Sequence, residues 1–290
     1  MEGDIKTLGE GELLHGIAGA GDLRWVVVDL GTAVEALRLR RDLAPLAAVS
    51  LGQLLTGTAL LQRMMTKTPM RLGVELRGDG PLGRMTAEID DQGNLRGTVG
   101  QIHAEAEDGR LGISSGIGQG TLRVIRQGAK ATYESQVELV PEGIGASLAH
   151  YLEQSEQVRA AVLVGVLARP DGISAAGGLI VEALPGADED LLSGLEERIR
   201  GCGEIGRILE SGGIDALLDG VLGSLDRESL GRYPVRYACG CDRGSLLSRL
   251  RALPQEDLDY LLEQPGGTEA ECVYCGTVYL FTPEELAAAQ

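Results

Sequence analysis

Four of the chain's five cysteines fall in two tight pairs, Cys239-Gly240-Cys241 and Cys272-Val273-Tyr274-Cys275, with thirty residues between them. Two short chelating pairs joined by a loop of that size suit a tetrahedral, all-thiolate zinc site holding one ion per chain. Gly240 and Gly276 permit the tight turns that aim two sulfurs at one ion. The pattern dictates how the end of the chain can fold. A segment of about 60 residues buries too little apolar surface to be comfortably stable alone. A structural zinc contributes roughly 10–16 kcal/mol of apparent binding energy. Bound zinc also holds the sulfurs as thiolates, the form that oxidants attack, so chemistry at Cys239, Cys241, Cys272 and Cys275 would become loss of structure. Two readings stand at this point, a purely structural zinc and a redox-responsive one. The single residue inside the first pair favours the second, because structural sites usually space their pairs by two or more. Cys202 stands alone and reads as a half-buried small apolar residue.

The rest of the 290 residues must build their core from aliphatic side chains, since aromatics are only 3%, with one Trp (Trp25) and one Phe (Phe281). The 43 glycines point to the turns and bulges of a sheet-rich domain. Strands are expected at Leu23–Leu30, Met70–Arg77, Leu82–Asp90, Leu95–Val99, Thr121–Arg126 and Ala131–Leu139. A hairpin is expected around Pro170-Asp171-Gly172, with arms Val158–Ala168 and Ile173–Val181. Helices are expected at Ala33–Leu39, from Pro45 to about Thr66, and at Gly143–Gln154. Residues 1–182 thus read as an α+β core domain with a sheet and helices.

The texture changes at Leu184-Pro185-Gly186. From Asp188 to Asp226 the pattern is helical, acidic and repeatedly interrupted by glycine, with short apolar faces at Leu191, Leu192, Leu195 and Ile199, at Ile205, Ile208 and Leu209, and at Ile214, Leu217, Leu218, Val221 and Leu222. Short helices hold only when packed on something, so residues 183–231 read as a metastable helical linker. Residues 232–290 form the zinc-binding domain. In it, helices are expected at Arg243–Ala252 and from Pro254 through Leu262, with a hairpin flanking Cys272 and Cys275. The capping box Thr282-Pro283-Glu284-Glu285 starts a last helix.

The net charge of −17 repels phosphate backbones and anionic bilayers, so no nucleic-acid or membrane partner is expected. Met1-Glu2-Gly3-Asp4-Ile5-Lys6 lacks the basic-then-apolar run of a signal peptide, and no apolar stretch approaches the roughly 18 residues of a membrane span. A cytoplasmic protein is expected, where clustered thiols mean metal or redox work.

Enzyme signatures are weak. Gly112-Ile113-Ser114-Ser115-Gly116 fits the nucleophile-elbow spacing, but a glycine-rich stretch and a strand follow it where a helix is needed. Gly116-Ile117-Gly118-Gln119-Gly120 is no dinucleotide fingerprint. Cys272-x-x-Cys275 lacks a thioredoxin-like βαβ context. His150 reads as a surface or packing residue, and the acidic run at Asp188 as a helix start.

The cysteine pattern, together with Gly78-Asp79-Gly80-Pro81-Leu82-Gly83, Gly93-Asn94-Leu95-Arg96-Gly97, Gly118-Gln119-Gly120-Thr121-Leu122-Arg123-Val124, the block His150 to Gln157 and Ala175-Ala176-Gly177-Gly178-Leu179-Ile180-Val181, resembles the 33 kDa chaperonin family of redox-regulated heat-shock holdases. The resemblance covers nearly the whole chain, in order. It implies an α+β core, a linker folded over it and a C-terminal zinc domain liganded by Cys239, Cys241, Cys272 and Cys275. It also implies activation by oxidants with heat, zinc release, linker unfolding, dimerisation and binding of unfolding client proteins without ATP. Positive charge near such sulfurs tunes their reactivity, and Arg236 and Arg243 are placed in sequence to supply it. The expected function is therefore a stress-response chaperone, not an enzyme. Oxidation forms Cys239–Cys241 and Cys272–Cys275 disulfides, and Leu191, Leu195, Ile199, Leu217, Leu218 and Val221 bind clients. The alternative is a zinc-ribbon protein-interaction module without redox switching.

Overall fold

A computed structural model describes residues 6–65, 70–105, 111 and 113–287. Among the described residues ten strands form one sheet: β1 (Lys6–Ala18), β2 (Leu23–Asp29), β3 (Met70–Gly78), β4 (Met85–Ile89), β5 (Asn94–Val99), β6 (Gly120–Gly128), β7 (Thr132–Glu138), β8 (Ala160–Arg169), β9 (Gly172–Ala183) and β10 (Arg227–Cys239). Their order is β7-β6-β3-β4-β5-β10-β1-β2-β9-β8. A hairpin of β11 (Thr268–Glu271) and β12 (Val278–Phe281) stands apart. The helices are α1 (Gly31–Arg41), α2 (Pro45–Met65), α3 (Ile113–Gly116), α4 (Ile144–Glu156), α5 (Glu189–Gly201), α6 (Ile205–Leu222), α7 (Arg243–Arg251), α8 (Gln255–Leu262) and α9 (Pro283–Ala287). By contacts the chain divides into two compact units, residues 8–237 and a smaller one from Ala238 onward that includes Lys6 and Thr7. The α+β class expected from sequence is the one observed.

Alternation along the strands builds two cores in the larger unit. Val26 and Val28 of β2, with Ala176 and Ile180 of β9, face a first core centred on α2. Most side chains of α2 from Leu46 to Leu61 are buried, and its buried Thr56 and Thr58 satisfy their hydroxyls on the carbonyls of Gly52 and Leu54. Trp25 and Val27 of β2, with Ala175, Leu179 and Val181 of β9, face a second core on the opposite side of the sheet. Its other wall is α5 and α6. Glycines make that seat. A Cβ at Gly165 would lie 2.6 Å from the Cβ of Ile205, and one at Gly206 would lie 2.8 Å from that of Leu167. Only bare backbone lets α6 come this close to β8.

Two central strands are absent from the sequence reading. β1 (KTLGEGELLHGIA) mixes glycine and glutamate into its apolar positions, and β10 carries Gly231 and Pro234. A proline normally argues against a central strand. Here β10 pairs with β5 only from Arg236, past the proline. The linker, read as several short stretches, is two helices. Asp188 caps α5 by accepting from the backbone N–H groups of Asp190 and Leu191, and α6 runs on through a kink at Gly213, φ 64°. The strand expected from Leu82 begins at Met85, after a turn. Position 66, where α2 was expected to end, lies outside the described residues.

His15 of β1 sits 2.7 Å, Nε2 to Nη2, from Arg63 of α2, whose guanidinium also donates to the Tyr233 hydroxyl of β10 at 2.8 Å and stacks over its ring at 4.1 Å. Burial, then the charges of Arg63 and Arg24, hold His15 below its ordinary value of 6.5. A depressed folded-state pKa means that the unfolded chain takes up the proton first. Stability is therefore full above pH 6.5 and falls as pH drops below it. Denaturant midpoints at pH 7.5 and 5.5 should fall less for His15→Gln than for the parent chain.

Candidate metal centre

The smaller unit has little apolar interior. Its buried apolar and cysteine side chains, among the described residues, are Ala238, Cys239, Cys272, Cys275, Phe281 and Leu286, and neither α7 nor α8 buries a side chain. Polar ties do much of the holding. Arg243 donates to the Leu280 carbonyl at 2.6 Å and to Glu285 at 2.7 Å, and lies over the Phe281 ring at 4.4 Å. The Thr282 N–H donates to Glu285 Oε2 at 2.9 Å and the Glu285 N–H donates back to Thr282 Oγ1 at 3.3 Å, the expected capping box.

Cys239 ends β10, and Cys241 precedes Asp242, which caps α7 by accepting from the Ser245 N–H. Cys272 and Cys275 lie in the turn between β11 and β12. There the Cys272 N–H donates to the Thr277 carbonyl at 2.9 Å and the Gly276 N–H donates to the Cys272 carbonyl at 2.8 Å. Gly276 closes that turn at φ 65°. All four sulfurs lie within 4.8 Å of one another. The Cys239–Cys272 separation is 3.7 Å and the Cys241–Cys275 separation 3.4 Å. An ion with Zn–S bonds of about 2.3 Å sets tetrahedral edges of about 3.8 Å, so the sulfur cage fits zinc in size as well as in softness. The contact with Cys239 holds the Cys272 thiol down at about 4 and pushes Cys239 up. Burial pushes Cys241 up, and it is the most exposed of the four.

Beside Cys241 lie two residues that sequence reasoning did not single out. Lys6 Nζ is 3.8 Å from Cys241 Sγ and donates to the Tyr279 hydroxyl at 2.6 Å. Tyr279 donates to the Cys241 carbonyl at 3.0 Å. Nothing in the sequence signals Lys6, 235 positions from Cys241. The arginines expected to supply charge are engaged elsewhere: Arg243 as above, and Arg236 with Asn94 at 2.8 Å.

The six apolar linker residues do not join this site. Leu195, Leu217, Leu218 and Val221 are buried in the second core, with Leu191 and Ile199 packed against it. Cys202 is half-buried beside the same core, and burial pushes its thiol up. Gly112, which opens the nucleophile-elbow spacing, lies outside the described residues. No helix among the described residues is long and apolar enough to cross a membrane.

Residues 11–282 match the family model described as Hsp33 protein. The chain is 38% identical over 291 residues to a 33 kDa chaperonin of Thermus thermophilus, covering 95% of this chain and 85% of that one. It is 35% identical to the 33 kDa chaperonin of Symbiobacterium thermophilum, covering 96% of each. The crystal structure of the 33 kDa chaperonin (heat shock protein 33 homolog) of Thermotoga maritima superposes with a TM-score of 0.87 at 30% identity, over 95% of this chain and 96% of that one.

Proposed function

We propose a function from one established fact: this chain belongs to the Hsp33 family of chaperones. It is a cytoplasmic, ATP-independent holdase for unfolding proteins under oxidative stress, gated by its cysteine unit and performing no catalysis. Its working parts are a core of residues 1–182, a metastable linker of residues 183–231 and a redox-switch domain of residues 232–290.

The observation that carries this reading is the pairing of a four-sulfur cage with a unit whose buried large apolar side chains, among the described residues, are Phe281 and Leu286 alone. Zinc, when bound, supplies the cross-links that such a unit lacks. Cys239, Cys241, Cys272 and Cys275 hold it as thiolates. Under peroxide, Cys239 pairs with Cys241 and Cys272 with Cys275. Each new S–S bond gives two electrons to one peroxide, which takes up two protons and leaves as two waters. Disulfide sulfurs no longer serve as thiolate ligands, so Cys239, Cys241, Cys272 and Cys275 would no longer hold a metal and the unit would lose its staple. β10 connects Cys239 in sequence to the end of α6, and the linker helices then leave the second core. Leu191, Leu195, Ile199, Leu217, Leu218 and Val221, with the sheet face beneath them, become apolar surface for clients. The activated chain dimerises through surface of the same kind.

The test is zinc content and aggregation suppression on one sample, before and after warm peroxide. One zinc per chain should be released as protection of a heat-unfolding client appears. Zinc release without protection would overturn the switch and leave a structural zinc module that binds partners constitutively.

A further inference from the structure

The ammonium group of Lys6 stands against the one zinc-ligand candidate that is not fully buried. A zinc ion held by four thiolates carries a formal charge of −2, and a site that excludes water must offset that charge with fixed donors and cations. Around Cys241 the offset is built from two distant pieces of chain. Lys6 Nζ lies 3.8 Å from the sulfur, 2.6 Å from the Tyr279 hydroxyl and 4.8 Å from the centre of the Tyr279 ring. The single hydroxyl proton of Tyr279 goes to the Cys241 carbonyl at 3.0 Å, which fixes the backbone of the same ligand. The oxygen, 3.5 Å from the sulfur, accepts from Lys6. Lysine and tyrosine thus form one clamp, with the ammonium as the group that meets the sulfur's negative charge.

We propose that Lys6 is a positioning residue of the metal centre: it neutralises charge at the Cys241 sulfur and, through Tyr279, orients that ligand, so the start of the chain sets zinc affinity and the reactivity of Cys241. This rests on the zinc reading given above. A cation beside a metal-bound thiolate strengthens the assembly while drawing electron density from the sulfur. Removing the cation therefore weakens metal binding and makes Cys241 easier to modify.

The experiment compares the reduced full-length chain with Lys6→Met, Lys6→Arg and Tyr279→Phe. Zinc dissociation constants come from competition with a chromophoric chelator. Alkylation of Cys241 by iodoacetamide is followed by peptide mass spectrometry. Lys6→Met should bind zinc roughly 10- to 100-fold more weakly, the usual effect of losing an outer contact. It should also alkylate faster at Cys241. Lys6→Arg should recover most of the affinity, and the deficit of Lys6→Met should shrink as salt rises toward about 1 M. Equal affinity in Lys6→Met and the parent would overturn the proposal, as would Lys6→Arg binding as weakly as Lys6→Met, since that makes the lysine stem and not its charge the cause. Should Lys6→Met not fold, Tyr279→Phe decides: it should lose affinity in the same direction, and unchanged binding overturns the clamp. A parent chain that takes up no zinc would instead sink the zinc reading itself, a distinguishable failure.

Discussion

Replacing Cys272 with serine should abolish stoichiometric zinc binding and unfold the smaller unit, and the effect should be among the largest of any single substitution in the chain. Cys272 is buried and lies 3.7 Å from Cys239 in a cage whose sulfurs all fall within 4.8 Å. A structural zinc is worth about 10–16 kcal/mol, and no other term in this unit approaches that figure. Phe281 and Leu286 are its buried large apolar side chains among the described residues. The ties from Arg243 and Arg251 to Glu285 are partly exposed and contribute little each. Hydrogen exchange of the reduced, zinc-supplemented Cys272→Ser chain should show residues 238–287 exchanging at nearly unprotected rates, while the α2 amides stay protected. A chelator added to the parent should give the same pattern. Parent-like protection in the variant would mean that this unit folds without its metal, and the proposed switch would lose its physical basis.

The parts of this reading that were legible in the sequence share a cause. The cysteine cage is read from spacing, because a chelating turn is local: Gly276 at φ 65° and the N–H of Cys272 facing the Thr277 carbonyl are properties of a few residues. The capping box at Thr282 and the hairpin at Asp171 are local in the same sense. What the sequence hid was long-range. β1 and β10 are strands because of their neighbours, and their glycines, glutamates and Pro234 mask any alternation. The glycines at 165 and 206 look like helix and strand breakers, yet they allow α6 to seat on β8. Lys6 is beyond any spacing rule, since only the fold brings it to Cys241. The partners of Arg236 and Arg243, the arginines expected to supply charge, were hidden for the same reason, since each lies far away in sequence.

The linker offers the second large effect. Leu217 is 0% exposed at the centre of the second core, where α6 meets Trp25, Leu179 and Val181 from the sheet. Truncating such a leucine to alanine costs about 2–5 kcal/mol. In α2 that cost would fall on the whole larger unit. In α6 it falls on a segment with weak independent support. Among the described residues its ion pairs to the sheet strands and their flanks are Arg159 with Glu189 and Glu196, Arg169 with Glu210, and Arg227 with Asp219, all at exposed or partly exposed sites. Its middle is bent at Gly213. Local opening of α5 and α6 should therefore become easier by the full amount, raising amide exchange in residues 189–222 by roughly 30- to several-thousand-fold at about 1.4 kcal/mol per tenfold. If the covered faces are the client surface, Leu217→Ala should suppress aggregation of a heat-unfolding client while still reduced and loaded with zinc. Leu60→Ala, equally buried but in the first core, is the control. It should lower the global midpoint without opening the linker selectively, and should confer no such activity. Selective opening of the linker in Leu217→Ala with no gain of protection would place client binding elsewhere. Equal activity in both variants would show that general destabilisation, and not the linker face, recruits clients.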